Sequence, residues 1–183
     1  MRVIAGEARG RKLVAPRGDG TRPTADRARE GLFSSLQSFL ELEGARVLDL
    51  YAGSGAIGLD ALSRGAAQVT LVDDDPSALK ALQRNVEAVG LPGVEVVGDT
   101  VEEFLGGLPT PYDVVVLDPP YDLDVDPVLP SLLPWLAPDA VVVVERRTRG
   151  PAPAWPGGLD PVRTRKYGEA TLHYALARQG AGA

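Results

Sequence analysis

Apolar residues along the middle of the chain follow two alternating periods. Short runs dominated by Val and Leu recur at Arg46 to Tyr51, Gln68 to Asp73, Val94 to Val97, Tyr112 to Leu117 and Ala140 to Val144. Between them, over 56–64, 76–89, 100–107 and 125–136, the apolar positions take the three-and-four spacing of an amphipathic helix. Strands alternating with helices predict an α/β fold: a Rossmann-like, doubly wound, mostly parallel sheet. Because the strand runs are almost continuously apolar, burial on both faces is expected.

The two ends break the alternation. Residues 2–5 and 11–14 read as a hairpin around Gly6 and Gly10, and Thr24 is placed to N-cap a helix with the stripe Ala28, Leu32, Leu36, Phe39 and Leu40. At the C-terminal end, Val162 to Lys166 and Ala170 to Ala177 flank Tyr167-Gly168-Glu169 and predict an antiparallel hairpin that closes the sheet. Residues 150–158, rich in Pro and Gly, read as a loop. A chain of 183 residues has room for one good core, so 1–183 is expected to form a single domain, with 1–23 as a basic N-terminal hairpin arm.

Composition narrows the chemistry. There is no cysteine and only one histidine, His173, which excludes thiolate catalysis, disulfides and a multi-His metal centre. No apolar stretch approaches the roughly 20 residues of a membrane span, and the first residues lack a signal-peptide core, so a cytoplasmic protein without a membrane partner is expected. Arginine (16) outnumbers lysine (3), as in a GC-rich genome or a heat-adapted source. The net charge of −6 is unevenly spread: residues 1–30 carry +4 and the remainder −10. A basic arm on an acidic body fits one face that meets a polyanion, and fits a solvated tail equally well.

Four motifs sit at the ends of predicted strands. Asp49-Leu50-Tyr51-Ala52-Gly53-Ser54-Gly55-Ala56-Ile57-Gly58 contains G-x-G-x-x-G between a strand and a helix, a turn that lets a ligand approach a helix N-terminus but that also occurs without one. Asp73 ends the second strand, where a carboxylate can accept hydrogen bonds from both hydroxyls of a ribose, while Asp75 before Pro76 reads as a helix cap. Gly98-Asp99-Thr100 ends the third strand, and Asp99 can accept an adenine amine or cap the next helix. These three would serve any adenosine cofactor, NAD included. The fourth, Asp118-Pro119-Pro120-Tyr121, separates the possibilities: a rigid turn presenting a carboxylate, a carbonyl and an aromatic ring suits methylation of an exocyclic amine on a planar base, which a dehydrogenase does not need.

On these residues the chain resembles the class I S-adenosylmethionine-dependent methyltransferases, among which D-P-P-Y marks amino-group methylation. Arg2 to Gly6, Arg9 to Leu13, Thr21 to Arg27, Arg29-Glu30, Leu48 to Gly55 and Ala61 to Ala66 further resemble the RsmD family, bacterial 16S ribosomal RNA guanine-N2 methyltransferases. The likeness spans nearly the whole chain and is weakest over 122–160. It implies S-adenosyl-L-methionine as cofactor, held by Asp49, Tyr51, Ala52, Gly53, Ser54, Gly55, Gly58, Asp73, Asp99 and Thr100. It implies catalysis by Asp118, Pro119, Pro120 and Tyr121 without a metal, on the N2 amine of the guanine conventionally numbered 966. The expected partner is 16S ribosomal RNA in an assembling small subunit, gripped by Arg9, Arg11, Lys12, Arg22 and Arg27 of a monomer. The rival expectation is another amino group, adenine N6 in DNA or glutamine in protein, because the same turn geometry serves those substrates.

Overall fold

Val and Leu runs form the strands β1 (Arg46–Leu50), β2 (Gln68–Val72), β3 (Val94–Val97), β4 (Tyr112–Leu117) and β5 (Leu136–Arg147), followed by β6 (Leu159–Tyr167) and β7 (Ala170–Ala177). They make one seven-stranded sheet in the order β3-β2-β1-β4-β5-β7-β6. The pairs among β1 to β5 are parallel, whereas β7 runs antiparallel to both β5 and β6. The structure is a computed structural model and describes residues 1–18 and 23–178, without the side chains of Pro23 and Thr24.

Local chemistry explains the helices that join these strands. In α3 (Pro76–Val89) Asp75 accepts a hydrogen bond from the Ala78 amide at 2.9 Å, Pro76 opens the helix and Gly90 closes it in the left-handed conformation. In α4 (Val101–Leu105) Thr100 and Glu103 form a reciprocal capping box. Helix α2 (Ala56–Ser63) starts directly from the glycine turn, and α1 (Pro23–Phe39) packs Ala28, Leu32 and Leu36 into the core with Phe39 and Leu40 partly buried.

Two apolar clusters cover the two faces of the sheet. One gathers Leu32, Phe33, Leu36, Leu59, Leu71, Leu82 and Tyr174, and the other Leu48, Leu117, Leu129, Leu132 and Trp135. This accounts for the near-continuous burial of β1, β2 and β4 after their first residues.

Several expectations are corrected. β3 is as Val-rich as its neighbours but half-exposed, because it lies at the sheet edge. The helical pattern over 125–136 is a 3₁₀ segment at Leu129–Trp135: Pro134 lacks the amide an α-helix needs and its ring crowds the preceding turn. Helix α1 begins at Pro23, so Thr24 falls inside its first turn rather than at the cap. β5 starts at Leu136 instead of Ala140, with an irregularity opposite Tyr112 to Val114 that takes Asp139 to φ 63°.

The N-terminal hairpin forms as expected, with the bridge Arg2 to Lys12 and backbone hydrogen bonds from the amides of Val3, Gly10 and Leu13 to the carbonyls of Arg11, Val3 and Met1. Residues 1–14 do not project as an arm. Val3, Ala8 and Leu13 are buried, and three side chains from α2 and α3 hold the backbone down. Asp60 accepts from the Ile4 amide at 2.9 Å, the Ser63 hydroxyl donates to the Ala5 carbonyl at 2.6 Å, and Asn85 exchanges hydrogen bonds with both backbone groups of Val14 at 2.8 Å.

Candidate active site

The strand order reverses between β1 and β4, and in an open α/β sheet the carboxyl ends on either side of such a reversal border a crevice. A cavity of about 260 Å³ lies there. Its wall includes Tyr51, Ala52, Gly53 and Ser54 from the turn after β1, Asp118 from the turn after β4, and Glu145 from β5. Met1, Pro16 and Arg29 reach in from the N-terminal region. A second cavity of about 450 Å³ adjoins it, lined by Pro119, Pro120, Tyr121, Arg147 and Arg149, and again by Glu145. The D-P-P-Y turn therefore stands between two cavities, with its carboxylate in one and its aromatic ring in the other.

The glycine turn is held from three directions. The Gly53 amide donates to the Asp73 carboxylate at 2.9 Å, and the other Asp73 oxygen accepts from the Asp75 amide at 3.0 Å. Buried Asn85 donates to the Ser54 carbonyl at 2.8 Å, so one side chain joins the N-terminal segment to the turn. Asp49 accepts from the Gly58 amide at 3.0 Å.

The three glycines have different surroundings. A Cβ on Gly53, at φ 58°, would meet open space. A Cβ on Gly55 would come within 2.6 Å of Leu82, and one on Gly58 within 2.4 Å of Leu71. Close packing of α2 on β2 thus accounts for glycine at 58, packing against Leu82 of α3 together with φ 77° accounts for it at 55, and at 53 the φ of 58° alone calls for glycine while the space stays open to a ligand. Tyr51 is one of two non-glycine residues with positive φ among the described residues, at 58°.

The site also contains unpaired buried atoms. Asp49 Oδ1 and the Tyr51 hydroxyl have no hydrogen-bond partner. Burial pushes the Asp49 carboxyl up to about 8, offset in part by the Gly58 amide and reinforced by the Asp73 charge. Burial pushes the Tyr51 phenol up to about 12.

The Asp49 shift has a testable sign. A carboxyl whose folded-state pKa lies above its unfolded value binds its proton more tightly when folded, so stability falls as pH rises from about 3.8 towards 8. Asp49→Asn keeps an acceptor for Gly58 and removes the titration. Its melting temperature should fall less than that of the wild type over this range in the ligand-free protein, and identical pH profiles would remove Asp49 as a source.

The remaining expected cofactor residues, Asp99 and Thr100, are not among those lining either cavity. Thr100 caps α4 and Asp99 is exposed, so the capping role weighed for Asp99 belongs to Thr100. Around the D-P-P-Y turn, Asp118 is half-buried and hydrogen-bonded to Glu145. Tyr121 is 48% exposed, with the Arg147 guanidinium 4.2 Å from its ring centroid.

The basic residues separate into two groups. Arg9, Lys12 and Arg27 are exposed. Arg11 is exposed too but donates to the Val89 carbonyl at the end of α3, where a cation is favourable to the helix dipole. Arg29 is buried, 3.3 Å from Asp60 and hydrogen-bonded to the Arg2 carbonyl. Arg22 lies outside the described residues. At the other end of the sheet Arg146 pairs with Asp124 and Asp126, and Arg163 stacks on Phe39. Sequence reasoning missed Glu145 and Asn85, which sit in a generic strand and a generic helix without a local motif.

Parallel strands β1 to β5, an antiparallel β7 inserted before the edge, a glycine turn tied to the acidic residue that follows β2, and D-P-P-Y after β4 together define a Rossmann-like S-adenosylmethionine-dependent methyltransferase. The chain belongs to the family described as Conserved hypothetical protein 95, whose model matches residues 1–176, and this is the RsmD family expected from the motifs. It is 37% identical over 184 residues to ribosomal RNA small subunit methyltransferase D of Escherichia coli K12, covering 98% of this chain and 92% of that protein. The protein of the same name from Haemophilus influenzae is 37% identical over 152 residues, covering 79% of this chain and 78% of its own. The solved structure of yhhF from Escherichia coli superposes with a TM-score of 0.85 at 34% identity, covering 98% of both chains. Among the described residues no helix is long and apolar enough to cross a membrane, and no group of three or more His, Asp or Glu could hold a metal ion.

Proposed function

We propose that the chain methylates the exocyclic N2 amine of a guanine in 16S ribosomal RNA, at the position numbered 966 in the conventional scheme, acting in the cytoplasm on an assembling small subunit. The observation that carries this reading is that Asp118 lines the same cavity as the glycine turn, so an amine held by its carboxylate would face a cofactor bound along Tyr51 to Ser54. The names of the relatives support a ribosomal RNA of the small subunit as the substrate class.

S-adenosylmethionine, when bound, supplies a methyl group already activated on a sulfonium. The residues present fit it: Gly53 offers open space, Asp73 is held beside the turn by two amides with lone pairs left to accept from ribose hydroxyls, and the unpaired Asp49 oxygen and Tyr51 hydroxyl leave polar capacity beside the turn. The chain's own task is alignment. Guanine N2 is a weak nucleophile because its lone pair is delocalised into the ring. Hydrogen bonds donated by N2 to the Asp118 carboxylate and the Pro119 carbonyl would favour a more tetrahedral nitrogen and aim it at the methyl carbon. Tyr121, backed by Arg147, would stack on the flipped base.

Purified protein incubated with labelled S-adenosylmethionine and ribosomal RNA, small subunits, DNA or protein tests this directly. N2-methylguanosine in 16S RNA is expected, and label recovered only as N6-methyladenine or methylglutamine would replace the reading with its rival.

RNA affinity should rest on exposed cations. Arg9→Ala combined with Lys12→Ala is expected to weaken RNA binding and lower its log–log salt slope by about 0.7–0.9 for each lost phosphate contact. Arg11 stays out of this test because it ends α3. A wild-type salt slope in the double variant would move the RNA grip away from the N-terminal segment.

A further inference from the structure

Asp118 and Glu145 occupy matched positions at the carboxyl ends of adjacent parallel strands. The β4–β5 ladder ends with Leu117 opposite Val144, and the next residue on each strand carries a carboxyl group. Glu145 lines both the cavity of the glycine turn, where Asp118 also stands, and the cavity of Tyr121, and a hydrogen bond between the two carboxyl groups forms only while one of them holds a proton. Nothing in the role given to Asp118 and Pro119 separates guanine from adenine, since both bases carry an exocyclic amine. The bases differ at the neighbouring ring nitrogen: guanine N1 carries a hydrogen and donates, whereas adenine N1 is a bare acceptor.

We propose that Glu145 is the residue that specifies guanine, its carboxylate accepting N1–H of the base whose N2 amine rests on Asp118. The inference rests on the guanine-N2 reading above and extends it to base selection. Two donors adjacent on one edge of the base meet two carboxyl groups adjacent at the carboxyl end of the parallel strands. An adenine in the same pose would turn its N1 lone pair towards an oxygen lone pair, and a buried acceptor left facing an acceptor is costly.

The environment of Glu145 suits this role. Burial raises its carboxyl above the usual range and the neighbouring Asp118 offsets part of that, so in the free protein the two carboxyl groups share one proton, which leaves to solvent when a base brings donors for both. Competing carboxylates in the second cavity are otherwise engaged or remote from the first: Asp124 and Asp126 pair with Arg146, and Asp122 is exposed and lines only the second cavity. Tyr121 and Arg147 form a stacked pair in the wall that Glu145 shares, where a base plane would lie.

The test replaces the target guanine of the accepted RNA by 2,6-diaminopurine, which keeps the N2 amine but has an acceptor at N1. Wild-type protein should methylate guanine with kcat/KM at least about tenfold above the analogue, the scale of one base-edge discrimination. In Glu145→Gln the side-chain amide can donate to N1 of the analogue, so the guanine preference should narrow by about tenfold or invert. A wild-type protein that treats both bases alike overturns the inference whatever the variant does, as does a Glu145→Gln variant with an unchanged ratio. Absence of any N2-methylguanosine from the wild-type reaction would instead remove the underlying function and this inference with it.

Discussion

Asp118→Ala is expected to lower turnover by about a hundredfold or more while leaving S-adenosylmethionine affinity near that of the wild type. Asp118 follows the last residue of β4, which is paired to β1, and its own amide approaches the Leu50 carbonyl at 3.5 Å, so the carboxylate starts from an ordered strand end. The glycine turn and Asp73 are held by their own hydrogen bonds and do not depend on it. What the variant loses is the acceptor that aims the amine, and a reacting atom misplaced by about 1 Å costs on the order of a hundredfold. Single-turnover rates combined with calorimetry of cofactor binding separate the two effects. Lost cofactor binding with an intact rate per bound complex would transfer Asp118 from the substrate to the cofactor.

Arg29→Ala should destabilise the protein by about 3–5 kcal/mol, the usual cost of leaving a buried charge without its partner. Asp60 is fully buried in α2, and burial raises its carboxyl pKa even though the Arg29 guanidinium and the Ile4 amide pull it back. Arg29, at 6% exposure, bridges α1, α2 and the N-terminal segment through Asp26, Asp60 and the Arg2 carbonyl. Its loss leaves the buried Asp60 carboxylate without its ion-pair partner, held only by the Ile4 and Ala5 amides and the charge of Arg64. Denaturant unfolding measures the effect, and Asp60→Asn in the Arg29→Ala background should recover part of it because the stranded charge is gone. A cost below about 1 kcal/mol for Arg29→Ala would show that the pair stabilises little.

These two residues differ in how visible they are from the chain alone. Asp118 announces itself, because strand, carboxylate, two prolines and tyrosine are consecutive and the chemistry of the turn is local. The same is true of Gly53 to Gly58, of the Asp75-Pro76 helix start, and of β3 and β4, whose ends agree with the apolar runs. Period and turn chemistry are properties of neighbours in sequence, and a buried parallel strand looks apolar wherever it pairs. Arg29 and Arg11 read as members of a basic arm, yet one is buried against Asp60 and the other bonds a carbonyl 78 residues away. Their charge was legible, but the partners that neutralise or engage it come from other elements.

The α/β class, the strands, the glycine turn and the amine-methylation turn follow from the amino-acid order, since each is encoded within about ten consecutive residues. The place of β7 between β5 and β6, the docking of residues 1–14 through Asp60, Ser63 and Asn85, and the meeting of Glu145 with Asp118 required the folded chain. Each depends on which distant elements pack together. A carboxylate in an ordinary strand or an amide on an ordinary helix carries no local mark of the partner it will meet.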